Sequence, residues 1–541
     1  MSDKLDKDVV IVGAGFAGMY MLHRLRELGL SAQVFEAGDD VGGTWYWNRY
    51  PGARCDAESL AYSFSFSPEL EQEWEWSERY APQAEILDYA RHVSERFDLR
   101  RDILFNTRVT RAVFNDDRKT WTVETDQGDS LEARFCIMAT GCLSVPQLPD
   151  IEGLDRFQGN RYQASQWPHE PVSFKGQRVG IIGTGSSGIQ AIPVIAEEAD
   201  ELIVFQRSPN FSVPAKNAPL DPEFVEAFKQ HYRQHRRNHK LGIGSGFGDL
   251  KIEPATAMPE PDAMAQYTEE EANAILEEYW NVGGARFMSA IGDMMFSEHA
   301  NQFAVKFVHR KIHEIVKDPE TARLLCPDDH PIGTKRICVD INYYDTYNRD
   351  NVRLISVREH PIRHIAEQGV QLEDEFVELD TLVLATGFDA MTGALLRMDI
   401  QGKNGLSLAD KWSAGPRTYL GMAMAGFPNL FTVTGPGSPS VLSNMLVSIE
   451  QHVDWMIDCL KKMQASGETV FEAEQSAEDN WVDHVNEVAN MSLFPKGGSW
   501  YLGANVEGKP RVFMPYAGGV GPYRQICDQV AEQDYQGFSF D

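Results

Sequence analysis

Two stretches of the chain each combine a short apolar strand, a Gly-x-Gly-x-x-Gly turn and a helix. The glycines of the first turn are Gly13, Gly15 and Gly18, and those of the second are Gly183, Gly185 and Gly188. Such a turn lets backbone N–H groups at a helix N-terminus approach a pyrophosphate, and the third glycine lets helix and strand pack closely. The sequence therefore predicts two dinucleotide-binding βαβ units of the α/β class.

The residue that ends the second strand of each unit distinguishes the two predicted sites. Glu36, 23 positions after Gly13, can accept hydrogen bonds from both ribose hydroxyls of an adenosine, and its charge would repel a 2′-phosphate. Arg207, 24 positions after Gly183, can pair with a 2′-phosphate instead. The first site therefore suits FAD or NAD and the second suits NADPH, with Ser186, Ser187 and Ser208 as further predicted NADPH contacts.

A change in composition separates the two units. Between residues 219 and 327, charged helical stretches replace strands, and strands resume from about residue 352. We expect an α/β fold with two Rossmann-like dinucleotide-binding domains and a helical insertion. The first domain is predicted at residues 1–145 and 387–541, the second at 146–218 and 328–386, and the insertion at 219–327.

Composition argues against several kinds of protein. The net charge of −30 disfavours a nucleic-acid partner, and the basic stretch at residues 229–240 is interpreted as a solvated helix face. The seven scattered cysteines lack a Cys-x-x-Cys pair, which disfavours a disulfide framework and indicates a reducing cytoplasm. The sequence contains no apolar run long enough to predict a membrane span. His309 and His313 have the spacing of a zinc pair but lack a third ligand, so no metal is expected.

A loop rich in glycine and aromatic residues, at positions 42–56, follows the first βαβ unit and ends in Asp56. A carboxylate in such water-poor surroundings needs a cationic partner. Lys335 and Arg336, which follow the predicted helical insertion, offer two cations, although a surface pair would look the same in the sequence.

The loop at 42–56 and the stretch at 157–168, which includes Trp167, resemble the two fingerprints of type I Baeyer–Villiger monooxygenases. The resemblance covers essentially the whole chain, including residues 334–336 and 499–501. The one departure is Gln163, which stands where the family has histidine. Glutamine keeps hydrogen-bonding capacity but carries no charge, so the departure bears on coupling between the two cofactors and on activity more than on the fold.

The resemblance implies an enzyme in which NADPH reduces FAD, O₂ adds to give a C4a-peroxyflavin, and the peroxide anion converts a ketone into an ester or lactone. Arg336 resembles the arginine that stabilises this anion, and Asp56 resembles its carboxylate partner. The other FAD contacts implied are Thr44, Trp45, Trp47, Tyr62, Val109 and Met445. The other NADP contacts implied are Arg54, Lys335 and Trp500, and the ketone pocket is expected at Ser440, Val441 and Leu442.

Three alternatives remain open on the sequence. A flavin-dependent N- or S-oxygenase would need no anionic peroxide and hence no Asp56–Arg336 pair. A flavin disulfide reductase would need two cysteines at the flavin, and Cys136 and Cys142 straddle a strand end instead. An uncoupled NADPH oxidase or a nucleotide-binding redox sensor is made conceivable by Gln163.

Overall fold

The two predicted βαβ units form two separate sheets in the computed structural model, which describes residues 5–242 and 262–541. Up to residue 138 the elements are β1 (Lys7–Val12), α1 (Phe16–Glu27), β2 (Ala32–Phe35), α2 (Thr44–Trp47), α3 (Pro68–Glu73), α4 (Gln83–Arg96), β3 (Ile103–Leu104), β4 (Val109–Asn115), β5 (Thr120–Thr125) and β6 (Ser130–Met138). The second unit and the helical region follow as β7 (Asn160–Gln163), β8 (Arg178–Ile182), α5 (Ser186–Glu198), β9 (Glu201–Gln206), β10 (Ser212–Pro214), α6 (Pro222–Gln230), α7 (Tyr232–Leu241), α8 (Glu269–Val282), α9 (Glu298–Ile315) and α10 (Pro319–Leu325).

The chain then returns to both sheets. The remaining elements are β11 (Cys338–Asp340), α11 (Tyr343–Thr346), β12 (Val352–Ser356), β13 (Ile362–Ala366), β14 (Gly369–Leu372), β15 (Phe376–Glu378), β16 (Thr381–Leu384), α12 (Gly393–Leu396), β17 (Asp399–Gln401), α13 (Leu408–Lys411), β18 (Leu430–Thr432), α14 (Met445–Ser466), β19 (Phe471–Ala473), α15 (Gln475–Asn490), α16 (Val520–Glu532) and β20 (Phe538–Phe540).

The first sheet has the strand order β17-β4-β5-β6-β1-β2-β3, with β18 beside β6. Strand β1 lies parallel to β2 and β6 and is buried from Val9 to Val12. Burial on both faces explains its continuous apolar run. Because β17 and β18 come from the C-terminal third of the chain, this sheet is built from both ends of the sequence.

The second sheet has the order β12-β9-β8-β16-β7, and each of these pairings is parallel. The glycine turn after β8 therefore lies at the carboxyl edge of the sheet, where open α/β sheets bind their ligands. The predicted α/β class with two Rossmann-like units is confirmed.

The described part of residues 219–327 is helical, as the composition predicts, and contains α6 to α10. Residues 243–261 of the predicted insertion lie outside the described residues, and the domain boundaries stay a prediction. The interpretation of residues 229–240 as a solvated face is wrong for one side of α7. Tyr232, Arg236 and His239 are buried there, because Tyr232 packs into the hydrophobic core and Arg236 pairs with the buried Glu71. In the described ranges we find no helix with both the length and the apolar character that a membrane crossing needs.

The pairing of β10 with β11 buries a carboxylate whose ionisation should lower stability. Asp340 is 6% exposed and accepts hydrogen bonds from the Ser212 hydroxyl and from the Tyr343 N–H. Burial outweighs these bonds and raises the pKa of Asp340 to about 6. The folded protein thus holds a proton that the unfolded chain has released above its ordinary pKa.

We expect wild-type stability to fall relative to the Asp340→Asn variant as the pH rises from about 4 to about 6, by about 3 kcal/mol in total. Above that window the difference should be constant, because Asp340 is then ionised in both states. Urea denaturation of both proteins at several pH values measures this difference. A pH-independent difference would show that Asp340 has an ordinary pKa.

Candidate active site

The first glycine turn leaves the N-terminus of α1 open to a ligand. Gly15 is the N-cap of α1 and supplies no side-chain hydrogen bond to the helix. A Cβ at Gly18 would lie 1.9 Å from the carbonyl oxygen of Gly13, so only glycine allows α1 to pack against the turn. Free N–H groups and the positive end of the helix dipole fit a pyrophosphate.

Glu36 lies at the end of β2 beside this turn. One of its carboxylate oxygens accepts from the Ala14 N–H at 2.7 Å and the other from the Gly38 N–H at 2.8 Å. Burial raises the pKa of Glu36, and these two N–H groups oppose the rise. Each oxygen keeps a second lone pair, so the fixed carboxylate can still accept from ribose hydroxyls.

The aromatic loop folds back onto the first glycine turn. A Cβ built at Gly43 would lie only 3.0 Å from the Gly15 Cα. Thr44, Trp45 and Trp47 lie in the short helix α2. The indole N–H of Trp45 donates to the Tyr62 hydroxyl at 3.1 Å, so two of the predicted FAD residues are in contact. Glycines and aromatic rings beside a dinucleotide turn fit the adenine–ribityl–flavin axis of FAD.

The second glycine turn repeats this geometry with more open space. Cβ atoms at Gly183 and Gly188 would lie 2.3 Å and 2.1 Å from the carbonyl oxygens of Ala385 and Gly183. At Gly185, in contrast, no atom lies within 4 Å of a built Cβ, and its φ is −83°. Ser186 and Ser187 begin α5 directly after it. The turn therefore fits a second pyrophosphate next to Gly185.

Two alanine substitutions separate packing from cofactor binding at this turn. Gly188→Ala should destabilise the protein by about 1–3 kcal/mol, because its Cβ overlaps backbone that cannot yield. Gly185→Ala adds a methyl group where only a ligand would meet it. We expect it to leave the melting temperature unchanged and to weaken NADP⁺ binding about tenfold. Thermal unfolding and calorimetric titration of both variants check this, and a stability loss in Gly185→Ala would contradict the open space.

A cluster of cations lies beside the second turn. Arg207 is exposed at the end of β9. Burial lowers the pKa of Lys335, and the positive charges of Arg207 and Arg358 lower it further. Arg358 donates to the Ser208 hydroxyl and to Asp329 at 2.5 and 2.6 Å. Lys335 lies 3.6 Å from the same carboxylate. Three cations around Ser208 suit a 2′-phosphate.

The structure brings Asp56 and Arg336 together although 280 positions separate them in the chain. The Arg336 Nε and Nη2 donate to the two Asp56 oxygens at 2.6 and 2.8 Å, and Nη1 donates to the Val441 carbonyl at 2.5 Å. Burial alone would raise the pKa of Asp56, but the Arg336 charge holds it below its ordinary value. Burial likewise opposes the charged form of Arg336, and Asp56 more than offsets it, raising the pKa of Arg336. The pair is a fixed bidentate ion pair.

An apolar cluster lies next to this ion pair. It contains Val441 and Tyr501, with Leu442, Met445 and Trp500 packed against it. Ser440 is fully buried and has a φ of +41°, a strained conformation for a residue with a side chain. The predicted ketone-pocket residues, Met445 and Trp500 therefore all lie at one cluster beside Arg336.

Three residues that the sequence analysis did not single out belong to these arrangements. Arg358 belongs to the cation cluster, and the Asp329 carboxylate pairs with Arg358 and lies 3.6 Å from Lys335. Burial raises the pKa of Tyr501 to about 12, and the interaction of Tyr501 with Arg336 partly offsets this rise. Arg358 follows β12, the neighbour of β9 in the sheet. The strand at 352–355 was predicted, but only the strand order shows that its end lies beside Arg207.

Three further predicted positions differ in their surroundings. Arg54 donates to the Tyr80 carbonyl at 2.9 Å and its own carbonyl accepts from Gln190 of α5. Val109 is buried at the start of β4. Gln163 ends β7 and donates to the Ser165 hydroxyl at 3.3 Å, while its buried amide oxygen has no partner among the described residues.

Residues 10–245 match a family model described as pyridine nucleotide-disulphide oxidoreductase. The two glycine turns are typical of the dinucleotide-binding architecture that this description names. The cysteines, all of which lie in the described ranges, are free thiols, so the disulfide part of the description has no counterpart there.

Curated relatives align along nearly the whole chain. A cyclohexanone 1,2-monooxygenase from Acinetobacter sp is 42% identical, with 99% of this chain and 97% of that protein covered. A Baeyer-Villiger monooxygenase from Pseudooceanicola batsensis is 40% identical, with 98% and 95% covered. A phenazine N-monooxygenase from Lysobacter antibioticus is 41% identical, with 99% and 97% covered.

Solved structures show the same fold over the full length. An oxidized steroid monooxygenase bound to NADP is 50% identical, superposes with a TM-score of 0.93 and is covered to 99%, as is this chain. An OTEMO complex with FAD and NADP is 38% identical with a TM-score of 0.94, covering 99% of this chain and all of that one. Both structures hold NADP, and the second also holds FAD; these are the two cofactors that the glycine turns suit.

Proposed function

The chain belongs to the FAD-containing, NADPH-dependent Baeyer–Villiger monooxygenases, and we propose that it oxidises ketones to esters or lactones at the Asp56–Arg336 pair. The observation that supports this site is the bidentate ion pair itself, held against the Val441 carbonyl. It places a permanent cation beside an apolar cluster and next to the loop that contacts the first glycine turn.

Bound FAD, once reduced by NADPH, supplies the chemistry that activates O₂. The chain's own part is electrostatic. Oxidation of a ketone by this route develops negative charge on oxygen, and a fixed guanidinium lowers the barrier more than a solvated one, because it needs no reorganisation. Asp56 fixes the plane of Arg336, and the Val441 carbonyl fixes its third nitrogen. Arg336 is therefore the proposed catalytic cation, and Asp56 is proposed to hold it in position.

The apolar cluster supplies the second requirement, which is a dry site. Val441 and Tyr501 are buried, and Leu442 and Trp500 pack against them. A low-dielectric wall strengthens the field of Arg336 and keeps water from protonating an anionic oxygen. Ser440, Val441 and Leu442 are proposed to contact the ketone, since they belong to the loop that Arg336 holds.

The cation cluster supports the choice of NADPH over NADH. Arg358 donates to the Ser208 hydroxyl, Arg207 precedes Ser208 in the chain, and the charges of both arginines act on Lys335. We propose that the ribose of a dinucleotide bound at Gly185 ends beside these three cations. Trp500 is proposed to cover the bound nicotinamide cofactor, because it lies at the edge of the cluster that adjoins Arg336.

N-oxygenation of a heteroaromatic compound is a second candidate, favoured by one observation. The phenazine N-monooxygenase is as similar to this chain as the ketone monooxygenases are. The Asp56–Arg336 pair favours the ketone reaction, because an N-oxide-forming oxygen transfer does not need an anionic oxidant.

Product analysis under one set of conditions separates the candidates. Purified enzyme with FAD and NADPH should convert a panel of aromatic, cyclic and linear ketones into esters or lactones, detected by gas chromatography with mass spectrometry. Phenazine should give less N-oxide than the best ketone gives ester. N-oxide as the main product would overturn the ketone assignment, and hydrogen peroxide as the main product would overturn both.

We also propose the partners of the enzyme and its location in the cell. Its partners are a small ketone and O₂, and the net charge of −30 supports the absence of a nucleic-acid partner. Seven free thiols support a reducing compartment, the cytoplasm. Fractionation of cells that produce the protein, with the activity recovered outside the cytosolic fraction, would contradict this placement.

A further inference from the structure

A second basic site is lined by helices that contribute no residue to the cation cluster at Ser208. A solvent-open cavity of about 480 Å³ lies between α3, α7 and α16, and its wall includes Arg233, Arg236, Arg237, Lys240 and Arg524. Its volume is within the range of small-molecule sites. Such a concentration of cations stands out in a chain with a net charge of −30.

Two of the five cations are neutralised by carboxylates beneath them. Arg236 is buried and pairs with Glu71 at 2.9 Å, and Lys240 lies 3.5 Å from Glu450 and donates to the Ser65 hydroxyl. Arg236 also donates to the carbonyl of Ala61 and is thus anchored to the segment after Asp56. These two residues form a fixed floor to the cavity.

None of the other three cations forms an ion pair within the described ranges, although the charge of Arg524 acts on Asp528 one turn further along α16. Arg233 and Arg237 are exposed on the same side of α7, and Arg524 extends from α16. The buried Nε of Arg524 lacks any hydrogen-bond acceptor among the described residues. Arg233 and Arg237 therefore present solvent-accessible guanidinium groups to the cavity.

We propose that this cavity binds a soluble small molecule that carries two or more phosphate groups. Three guanidinium groups that form no ion pair with the described residues, each a rigid fork of donors, match the several oxygens and the charge of linked phosphates. An anionic membrane or a nucleic acid fits less well, because the rest of this acidic surface would be repelled from it. The site is separate from the catalytic reaction and goes beyond the proposed function.

Calorimetric titration of the FAD-loaded enzyme with inorganic tripolyphosphate tests the proposal, with saturating NADP⁺ present to fill the cofactor site. Wild type should bind one tripolyphosphate, and Arg237→Ala and Arg524→Ala should each bind it about tenfold more weakly. Arg237 is exposed, so its loss leaves the core intact. Arg397→Ala is the matched control, since Arg397 is exposed beyond α12 and forms no ion pair in the described structure.

The control should bind tripolyphosphate as wild type does, and citrate should bind wild type more weakly than tripolyphosphate. An absence of binding to wild type, or unchanged binding in both arginine variants, would overturn the site. An equal loss in Arg397→Ala would reduce the effect to net charge and overturn it too. Citrate binding as tight as tripolyphosphate would overturn the phosphate assignment.

Discussion

Arg336→Ala should lower ester formation by about 10²- to 10³-fold, the usual effect of removing a preorganised charge from a reaction centre. Reduction of bound FAD by NADPH should continue within a few-fold of the wild-type rate, because the cation cluster at Ser208 does not include Arg336. Anaerobic stopped-flow absorbance measures the reduction, and gas chromatography measures the ester. The variant should thus consume NADPH and release hydrogen peroxide.

Arg336→Lys serves as the control for folding. It keeps a cation near Asp56 but replaces a bidentate fork with a point charge, so it should fold as wild type does and recover only part of the activity. Arg336→Ala leaves Asp56 without its cation, which raises the pKa of that carboxyl towards the value that burial alone would give. Normal ester turnover in Arg336→Ala would contradict the assigned role.

Arg207→Ala should weaken NADPH binding by about 10- to 100-fold while changing NADH binding little, because only NADPH carries the 2′-phosphate. Arg207 is exposed at the end of β9, so the substitution leaves packing unchanged. Arg353→Ala on the neighbouring strand is the matched control, since Arg353 is an exposed residue paired with Glu375. Steady-state KM values for NADPH and NADH in the three proteins measure the effect.

Arg358→Ala should give the same selectivity with a smaller loss, because Lys335 and Arg207 remain. Equal losses for NADPH and NADH in Arg207→Ala would contradict the 2′-phosphate assignment. A loss of NADPH binding in the Arg353→Ala control would show that the overall positive charge near β9 and β12 matters more than the Arg207 guanidinium.

Local rules predicted much of the fold. Strand β8 occupies residues 178–182, as the apolar run before Gly183 predicts. The spacing of apolar residues from Met19 to Leu28 predicts a helix there, and the helix begins earlier, at Phe16, because in this motif it starts directly after the second glycine. The apolar run at residues 429–434 predicts a strand, but β18 contains only Leu430–Thr432, since Asn429 and Thr434 have positive φ angles.

The site was less predictable because its parts come from distant segments. Nothing in the local pattern around Arg336 shows that it meets Asp56, and the resemblance to a family supplied that pairing. The sequence did not predict Arg358 as a cofactor contact, because its position beside Arg207 depends on the order of β9 and β12 in the sheet. The basic residues of α7 are visible in the sequence, but the cavity that they line is not. It depends on the packing of α7 against Glu71 and Arg524, which are distant in the chain.

The most direct test of the proposed ketone oxidation is the molar ratio of ester formed to NADPH consumed by the wild-type enzyme under ¹⁸O₂ with its best ketone. We predict a ratio near one, with one ¹⁸O atom in each ester, because the Asp56–Arg336 pair and the apolar cluster direct the oxidant to the carbonyl. Gln163, whose buried amide oxygen has no partner among the described residues, is the residue at which we expect this ratio to be most sensitive to substitution. NADPH consumption with hydrogen peroxide and no labelled ester would contradict the central claim.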